Sequence, residues 1–511
     1  MPERFLTSIA LSYVTAILLS FLLENLLQPR PLPVWQRSFS AVTLHKGIVT
    51  ILFALELLLF RRPWFAAANV MALLLFLTLV NNAKFHSLRE PFICQDFEYF
   101  SDALKHPRLY LPFLGLWRAV VAAGGILGAL AAGILLETPL HAGTVIVVAS
   151  LLLLLGAVSI WLGNHYADDL NCQPTQDTTR LGQLACLWLY GRAERKERPT
   201  VLPVNPLFRT SVPANNRDLP DLVVVQSESF FDPRRAFSGI RPEILEQFDH
   251  MKSSAITHGK LRVPAWGANT VRSEYAFLSG LEPEKLGIHR FNPYRWIASQ
   301  GIPTLASFLQ QRGYRTVCIH PYPADFYGRN QVYPQIGFDE FIDIATFQTS
   351  ERSGPYVGDC AVAARVHEIL KAQGNSSDRR PLFIFVITME NHGPLHLEKI
   401  SAAEATHLYS TPPPQGCDEL SIYLRHLRNA DRMAGMLRRA LESSERTGIL
   451  CFFGDHLPIM EKVYGLLGTP DGDSEYLLWS NRGSNRPPRQ SDLDVWDLAG
   501  ILVTEAGLEK L

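Results

Sequence analysis

Long apolar runs crowd the start of the chain, and only short ones punctuate the rest. Five segments reach the roughly 20 mostly apolar residues that a bilayer-spanning helix needs. They are Phe5–Leu27, Ala41–Phe60, Pro63–Val80, Leu111–Leu136 and Gly143–Leu162. The first ends in Glu24-Asn25 without a small-residue cleavage site, and further spans follow, so it reads as a retained helix and not a signal peptide. Two charges, Glu56 and Arg118, fall inside these segments. Intramembrane charges face a bundle interior or a partner. The pair could meet each other or a lipid headgroup, and Arg118 could instead snorkel to an interface; the pattern leaves these open.

The pattern changes after about residue 165. Residues 166–220 read as a connector. Leu181–Tyr190 has an amphipathic pattern suited to a membrane surface, Ala193–Pro199 is strongly charged, and Pro203, Pro206 and Pro213 favour extended backbone. From Asp221 onward, strand-like and helix-like stretches alternate. Leu222–Gln226, Arg315–Ile319, Leu382–Thr388 and Gly448–Phe453 are short apolar runs that read as buried strands. Ile302–Arg312, Ala361–Ala372 and Leu420–Leu441 read as helices. The alternation implies βαβ units and a mostly parallel sheet covered by helices. The expected architecture is a polytopic α-helical membrane domain over 1–165 with five transmembrane helices. A connector over 166–220 and an α/β domain over 221–511 follow.

Composition changes this picture little. A net charge of -1 excludes bulk binding of polyanions such as nucleic acid. Seven cysteines form no C-x-x-C pair, so no zinc knuckle is indicated, and Cys318 and Cys451 fall in expected core strands. The distribution of basic residues gives a poor guide to orientation. With the amino terminus inside, the inner side holds Arg4, Arg61 and Arg62; the outer holds Arg30, Arg37, Lys84, Arg89, Lys105 and Arg108. That count argues against an external carboxyl domain. Much of it comes from the loop Asn81–Tyr110, whose acids and phenylalanines also suit an interfacial position.

Each expected strand ends in polar residues: Ser227-Glu228-Ser229, His320-Pro321-Tyr322, Glu390-Asn391-His392-Gly393 and Asp455-His456. A parallel sheet puts all its carboxyl ends on one edge, where ligands bind. Glu228, His320, His392, Asp455 and His456 should therefore cluster. Glu228, Asp455 and His456 make a three-ligand set for a divalent ion and leave a position open, as a catalytic metal requires. A nucleophile at that position would lose its proton more easily. Thr270 is the most suggestive hydroxyl. It follows a small, polar stretch and starts an amphipathic run, so it sits at or near a helix amino terminus. An N-cap role for Thr270 has equal weight on spacing alone.

Taken together, these motifs resemble the sulfatase and alkaline-phosphatase-like transferases of bacterial envelopes, most of all the lipoteichoic acid synthase and phosphoglycerol transferase group. The carriers are Ser227-Glu228-Ser229, Asn269-Thr270-Val271-Arg272-Ser273-Glu274-Tyr275, Phe326-Tyr327-Gly328-Arg329-Asn330, Met389-Glu390-Asn391-His392-Gly393-Pro394 and Phe453-Gly454-Asp455-His456. The resemblance implies a threonine nucleophile at Thr270, itself a ligand of one divalent ion held by Glu228, Asp455 and His456. Manganese or magnesium is the commonest ion in the group, with zinc also admissible. It implies Arg329 and His392 on the phosphoryl group and Tyr327 beside the headgroup; His320 is counted with Tyr327 as substrate-binding. It implies a bacterial cytoplasmic membrane location with the catalytic domain on the periplasmic or extracellular side. The donor would be an anionic phospholipid, and the acceptor an envelope glycan or polymer. Tyr327 stands where the group often has Trp, and Gly328 where a side chain is common, which leaves glycerol against ethanolamine open. Thr270-Val271-Arg272-Ser273 lacks the Pro of the sulfatase nucleophile motif, which disfavours sulfate-ester hydrolysis. The expected function is phosphoglycerol transfer through a covalent threonine intermediate. Its alternatives are a phosphoethanolamine transferase and a non-catalytic envelope protein that binds lipid or glycan.

Overall fold

The computed structural model describes the chain apart from residues 1, 99–123, 126–127, 129–130, 132, 134, 197–201, 210–218, 379, 484–486 and 510–511. The described residues fall into two compact units, Met1–Arg198 and Pro199–Leu511.

The amino-terminal unit is a polytopic helical membrane domain. Its helices Pro2–Leu23, Phe39–Phe60, Pro63–Leu88 and Ala142–His165 follow the apolar runs, and four described helices are long and apolar enough to cross a membrane. Leu111–Leu136 and Arg118 lie mostly or wholly outside the described residues. Glu56 takes a hydrogen bond from Asn69 Nδ2 at 2.9 Å, which gives this intramembrane carboxylate a partner inside the bundle. Helices Phe39–Phe60 and Ala142–His165 touch through small residues: a Cβ on Gly47 would sit 3.0 Å from the Gly156 carbonyl. Two expectations need correction here. The start of the Asn81–Tyr110 loop, through Leu88, is a continuation of the preceding helix. The stretch expected as one surface helix is two helices, Pro174–Leu181 and Gln183–Lys196. Leu184, Leu187 and Tyr190 are buried, and the Gln183 N–H donates to Glu24 Oε1 at 2.9 Å. These bonds and packing hold the segment within the first unit.

In the second unit a nine-stranded sheet is built from β1 (Asp221–Ser227), β2 (Thr257–Arg262), β3 (Arg315–Ile319), β4 (Glu340–Ile342), β7 (Leu382–Ile387), β8 (Gly448–Gly454), β9 (Ser474–Ser480) and the short β10 (Arg489–Gln490) and β11 (Leu493–Asp494). A separate hairpin holds β5 (Arg352–Ser353) and β6 (Tyr356–Val357). The order is β10-β2-β9-β8-β1-β7-β3-β4, with β11 also on β2. The pairs β8/β1, β1/β7, β7/β3 and β3/β4 are parallel; β9 runs antiparallel to both β8 and β2.

The central strands read as unbroken apolar runs because both of their faces are covered. Val223 and Val225 of β1 join one core with Leu450 and Phe452 of β8 and with Leu424, Leu427 and Leu437 of the helix Asp418–Glu442. Leu222 and Val224 point to the other core, with Cys318, Phe385, Cys451, Phe453 and the helices Thr270–Ser279, Leu305–Gln311 and Val495–Glu505. There Phe277 packs on Phe453 and Phe385, ring centroids 4.9 and 5.8 Å away. This three-layer packing fixes the register β1/β7/β8, and so the edge on which the strands end.

Candidate active site

β1 and β8 lie side by side with Ser227 opposite Gly454, so Glu228 and Asp455 leave adjacent strands at the same level. Gly454 is required at that point: a Cβ there would fall 1.9 Å from the Phe230 carbonyl oxygen. The turn is held by the Ser229 N–H, which donates to Asp455 Oδ1 at 2.9 Å, and by the Ser229 hydroxyl, which donates to Glu228 Oε1 at 2.9 Å. Ser229 adopts φ 55, a left-handed conformation uncommon for a residue with a side chain. The Glu228 N–H donates to Thr388 Oγ1 at 2.9 Å, which ties the end of β7 to the same corner. The His456 Nδ1–H donates to the Leu457 carbonyl at 3.0 Å, leaving the Nε2 lone pair available.

One ligand atom from each of Glu228, Asp455 and His456 lies within 4.8 Å of the others. His456 Nε2 is 3.4 Å from Asp455 Oδ2 and 3.6 Å from Glu228 Oε1. All three residues are buried, yet Glu228 Oε2, Asp455 Oδ2 and His456 Nε2 have no hydrogen-bond partner among the described residues. Buried polar atoms without partners are rare and costly. Burial and the charge of Asp455 push the Glu228 carboxyl up to about 8. Two oxygens and an imidazole nitrogen converging in this way suit a divalent cation, which would meet all three atoms and relieve the repulsion between the acids.

Thr270 is the first residue of the helix Thr270–Ser279. The capping position is Asn269, at φ 66, so the N-cap reading of Thr270 does not hold. Thr270 is half-buried, and its hydroxyl makes no hydrogen bond among the described residues. Two bonds tie its helix to the metal-candidate corner. Gln226 Nε2 donates to the Thr270 carbonyl at 3.4 Å, and the Ser273 hydroxyl donates to the Asp455 carbonyl at 2.6 Å.

Arg329 is 1% exposed and forms a salt bridge to Glu274, Nη2 to Oε2 at 2.7 Å. The Tyr294 and Tyr333 hydroxyls also donate to Glu274. The His320 Nδ1–H donates to the Ile387 carbonyl at 3.2 Å, so Nε2 accepts from Arg329 Nη1 at 3.3 Å. Burial and the adjacent guanidinium hold His320 far below its usual pKa, hence neutral. His320 therefore contacts Arg329. The charge of Arg329 reaches Glu228, where it favours the carboxylate. The Tyr327 ring lies 5.2 Å from the Arg329 guanidinium, and its backbone is left-handed at φ 57. The His392 Nδ1–H donates to the Gly393 carbonyl at 2.7 Å, with Tyr356 Oη 3.4 Å away; burial lowers its pKa.

Sequence reasoning missed the supporting groups. Ser229 and Thr388 form the corner, and Glu274 holds Arg329 from inside the same motif that supplies Thr270. A Glu at a fully buried position of an otherwise apolar helix face was the one available signal.

Residues 220–498 match the Sulfatase family model. The chain is 27% identical over 492 residues to capsular polysaccharide biosynthesis protein RkpI of Rhizobium meliloti (strain 1021), covering 91% of this chain and 86% of that protein. It is 25% identical over 166 residues to lipoteichoic acid synthase 1 of Bacillus subtilis (strain 168), covering 32% of this chain and 24% of that one. The integral membrane protein lipooligosaccharide phosphoethanolamine transferase A from Neisseria meningitidis shares the fold, with TM-score 0.58 and 12% identity over 97% of this chain and 94% of that one. With its sulfatase match spanning more than half of its length, the chain belongs to the sulfatase family.

Proposed function

We propose that the protein transfers phosphoglycerol from phosphatidylglycerol to a hydroxyl of an envelope glycan or polymer, on the outer face of the cytoplasmic membrane. One observation carries this reading: three buried ligand atoms, unpartnered among the described residues, converge at the sheet edge to which the Thr270 helix is bonded. The local similarity to a lipoteichoic acid synthase and the similarity over most of the chain to a capsular polysaccharide biosynthesis protein support the substrate classes.

Glu228, Asp455 and His456 would hold one divalent ion, with Thr270 at the open position. When bound, such an ion lowers the pKa of a hydroxyl and offsets phosphoryl charge. Thr270 gives up its proton, and its Oγ1 forms a bond to phosphorus as the bond to the diacylglycerol oxygen breaks. Glycerol phosphate remains on Thr270. An acceptor hydroxyl then attacks phosphorus, the Thr270 ester bond breaks, and Thr270 regains a proton. Arg329 has five N–H donors, of which three are engaged by Glu274 and His320, so donors remain for non-bridging oxygens. His392 presents Nε2, since Nδ1 is engaged by Gly393. It takes the proton of Thr270 and gives it to the departing diacylglycerol in the first half-reaction, and takes the proton of the acceptor hydroxyl and gives it to Thr270 in the second. Its lowered pKa favours the base role at neutral pH.

The test uses right-side-out vesicles carrying the full chain, given phosphatidylglycerol labelled in its headgroup. Mass spectrometry is expected to find a phosphoglycerol adduct on Thr270. A phosphoethanolamine adduct formed from labelled phosphatidylethanolamine would overturn the headgroup assignment. No adduct from either lipid would reject the reaction.

Asp455→Asn keeps the Ser229 contact and removes one charge. Even groups that only orient a metal ligand are worth about 10–100-fold in affinity, so a direct ligand is expected to cost more. Metal analysis of the purified variant should show occupancy lost at ion concentrations that saturate the wild type. Unchanged occupancy would mean that the ligand set is wrong.

A further inference from the structure

The helix Asp418–Glu442 carries a fully buried imidazole, His426. Its Nδ1 is 2.9 Å from Glu390 Oε1, and its Nε2 is 3.1 Å from both oxygens of Glu398. Glu390 and Glu398 are the two ends of the loop that carries Asn391, His392, Gly393 and Pro394. One side chain from a different element thus joins both ends of the loop that presents His392. Arg425 Nη2 lies farther from the same Nε2, at 3.5 Å. Ionised carboxylates only accept hydrogen bonds, so the ring bonds both of them at once only as the imidazolium, with both nitrogens donating.

The surroundings favour that form. Glu390 Oε1 also accepts from Asn429 Nδ2 at 2.5 Å, and Oε2 from the Asp359 N–H at 2.7 Å. Burial alone would raise the Glu390 carboxyl, but its hydrogen bonds with His426 and Asn429 hold it below its usual value. Glu398 Oε2 accepts from Arg425 Nη2 at 2.6 Å, and Arg425 also faces Glu404. Asp359, from the helix Asp359–Gly374, is pushed far above the carboxylate range by burial and by the charge of Glu390, so it stands neutral. Against these charges, burial lowers the His426 pKa, yet the bonds to Glu390 and Glu398 raise it on balance to about 9.

We infer that His426 is a positioning residue that ties the two ends of the Glu390–Glu398 loop and thereby fixes where His392 meets the reacting phosphoryl group. The inference rests on the transferase reading for the role of His392. It carries a pH signature. The folded pKa lies above the ordinary 6.5, so the tie is fully present below 6.5 and is lost as pH rises through about 9.

The experiment compares full-length, Mn²⁺-loaded wild type with His426→Gln and Glu398→Gln. It measures amide hydrogen exchange of residues 390–398 and of β1 and β8, and the kcat and KM for diacylglycerol release from phosphatidylglycerol. In His426→Gln the loop is expected to exchange faster while β1 and β8 do not. The kcat should fall about 100-fold with KM unchanged, the scale of a small misplacement of a reacting group. Glu398→Gln, which frees only one end, should move both readouts the same way but less. Wild-type loop exchange, corrected for its intrinsic pH dependence, should accelerate through pH 9, and that of His426→Gln should not. Unchanged loop exchange in His426→Gln overturns the inference. Equal acceleration in β1 and β8 also overturns it, by showing a merely structural role. A loop released in His426→Gln, with no adduct on wild-type Thr270, supports the tie and overturns the transferase reading.

Discussion

Thr270→Ala is expected to stop diacylglycerol release while the protein folds and keeps its metal. The hydroxyl makes no hydrogen bond among the described residues, and the cap of its helix is Asn269. Its loss should therefore cost no more than about 0.5 kcal/mol, the scale of substitutions that break no packing, cap or polar network. The chemical loss is of another order. When a nucleophile forms the covalent intermediate, removing it costs on the order of 10⁴-fold or more in kcat. Thr270→Ser keeps an oxygen in place and should retain some turnover, reduced because Ser lacks the β-methyl that restricts χ1. Direct attack by the acceptor on the lipid would leave the Ala variant near wild-type rate. The measurement is diacylglycerol release by variants matched for metal content and thermal midpoint. Near-normal release by well-folded, metal-loaded Thr270→Ala would remove the covalent mechanism.

The parts of this site that were legible in the sequence are those that follow strand ends. β1, β3, β7 and β8 are covered on both faces, so they are continuous apolar runs with sharp polar ends, and Glu228, His320 and Asp455-His456 stand out against them. β2 and β9 were not legible. β2 (Thr-His-Gly-Lys-Leu-Arg) is only half-buried, and β9 carries Glu475, a buried acid paired with Arg235 at 2.9 Å. β2 holds no apolar run, and the run in β9, Tyr476 to Trp479, is only four residues long with an acid at its head. The roles of Glu274 and His426 were illegible for a related reason. Each lies within a helix, and what defines it is a partner distant in sequence, Arg329 for Glu274 and Glu390 for His426. Helical periodicity marks such positions as core and carries no sign of the charge that meets them there.

Glu274→Gln is expected to be among the most destabilising single substitutions in the second unit, and the reason lies with Arg329. Burial alone would lower the guanidinium pKa, but the Glu274 carboxylate outweighs it and keeps Arg329 charged. Both side chains are at most 1% exposed. Gln preserves the volume and one acceptor for Tyr294 and Tyr333, but it leaves a buried cation without a counter-ion. Breaking such a pair by removing one partner costs about 3–5 kcal/mol. For the same reason the double variant Glu274→Gln, Arg329→Met should recover much of the lost stability, because it removes the stranded charge along with its partner. Activity should not follow stability. If Arg329 only held the fold together, the double variant would regain turnover as its unfolding midpoint recovers. If its free N–H groups receive the phosphoryl oxygens, the double variant stays inactive at full stability. Chemical denaturation of the single and double variants, set beside their rates of diacylglycerol release, separates the two: recovery of both together would reduce Arg329 to a structural ion pair.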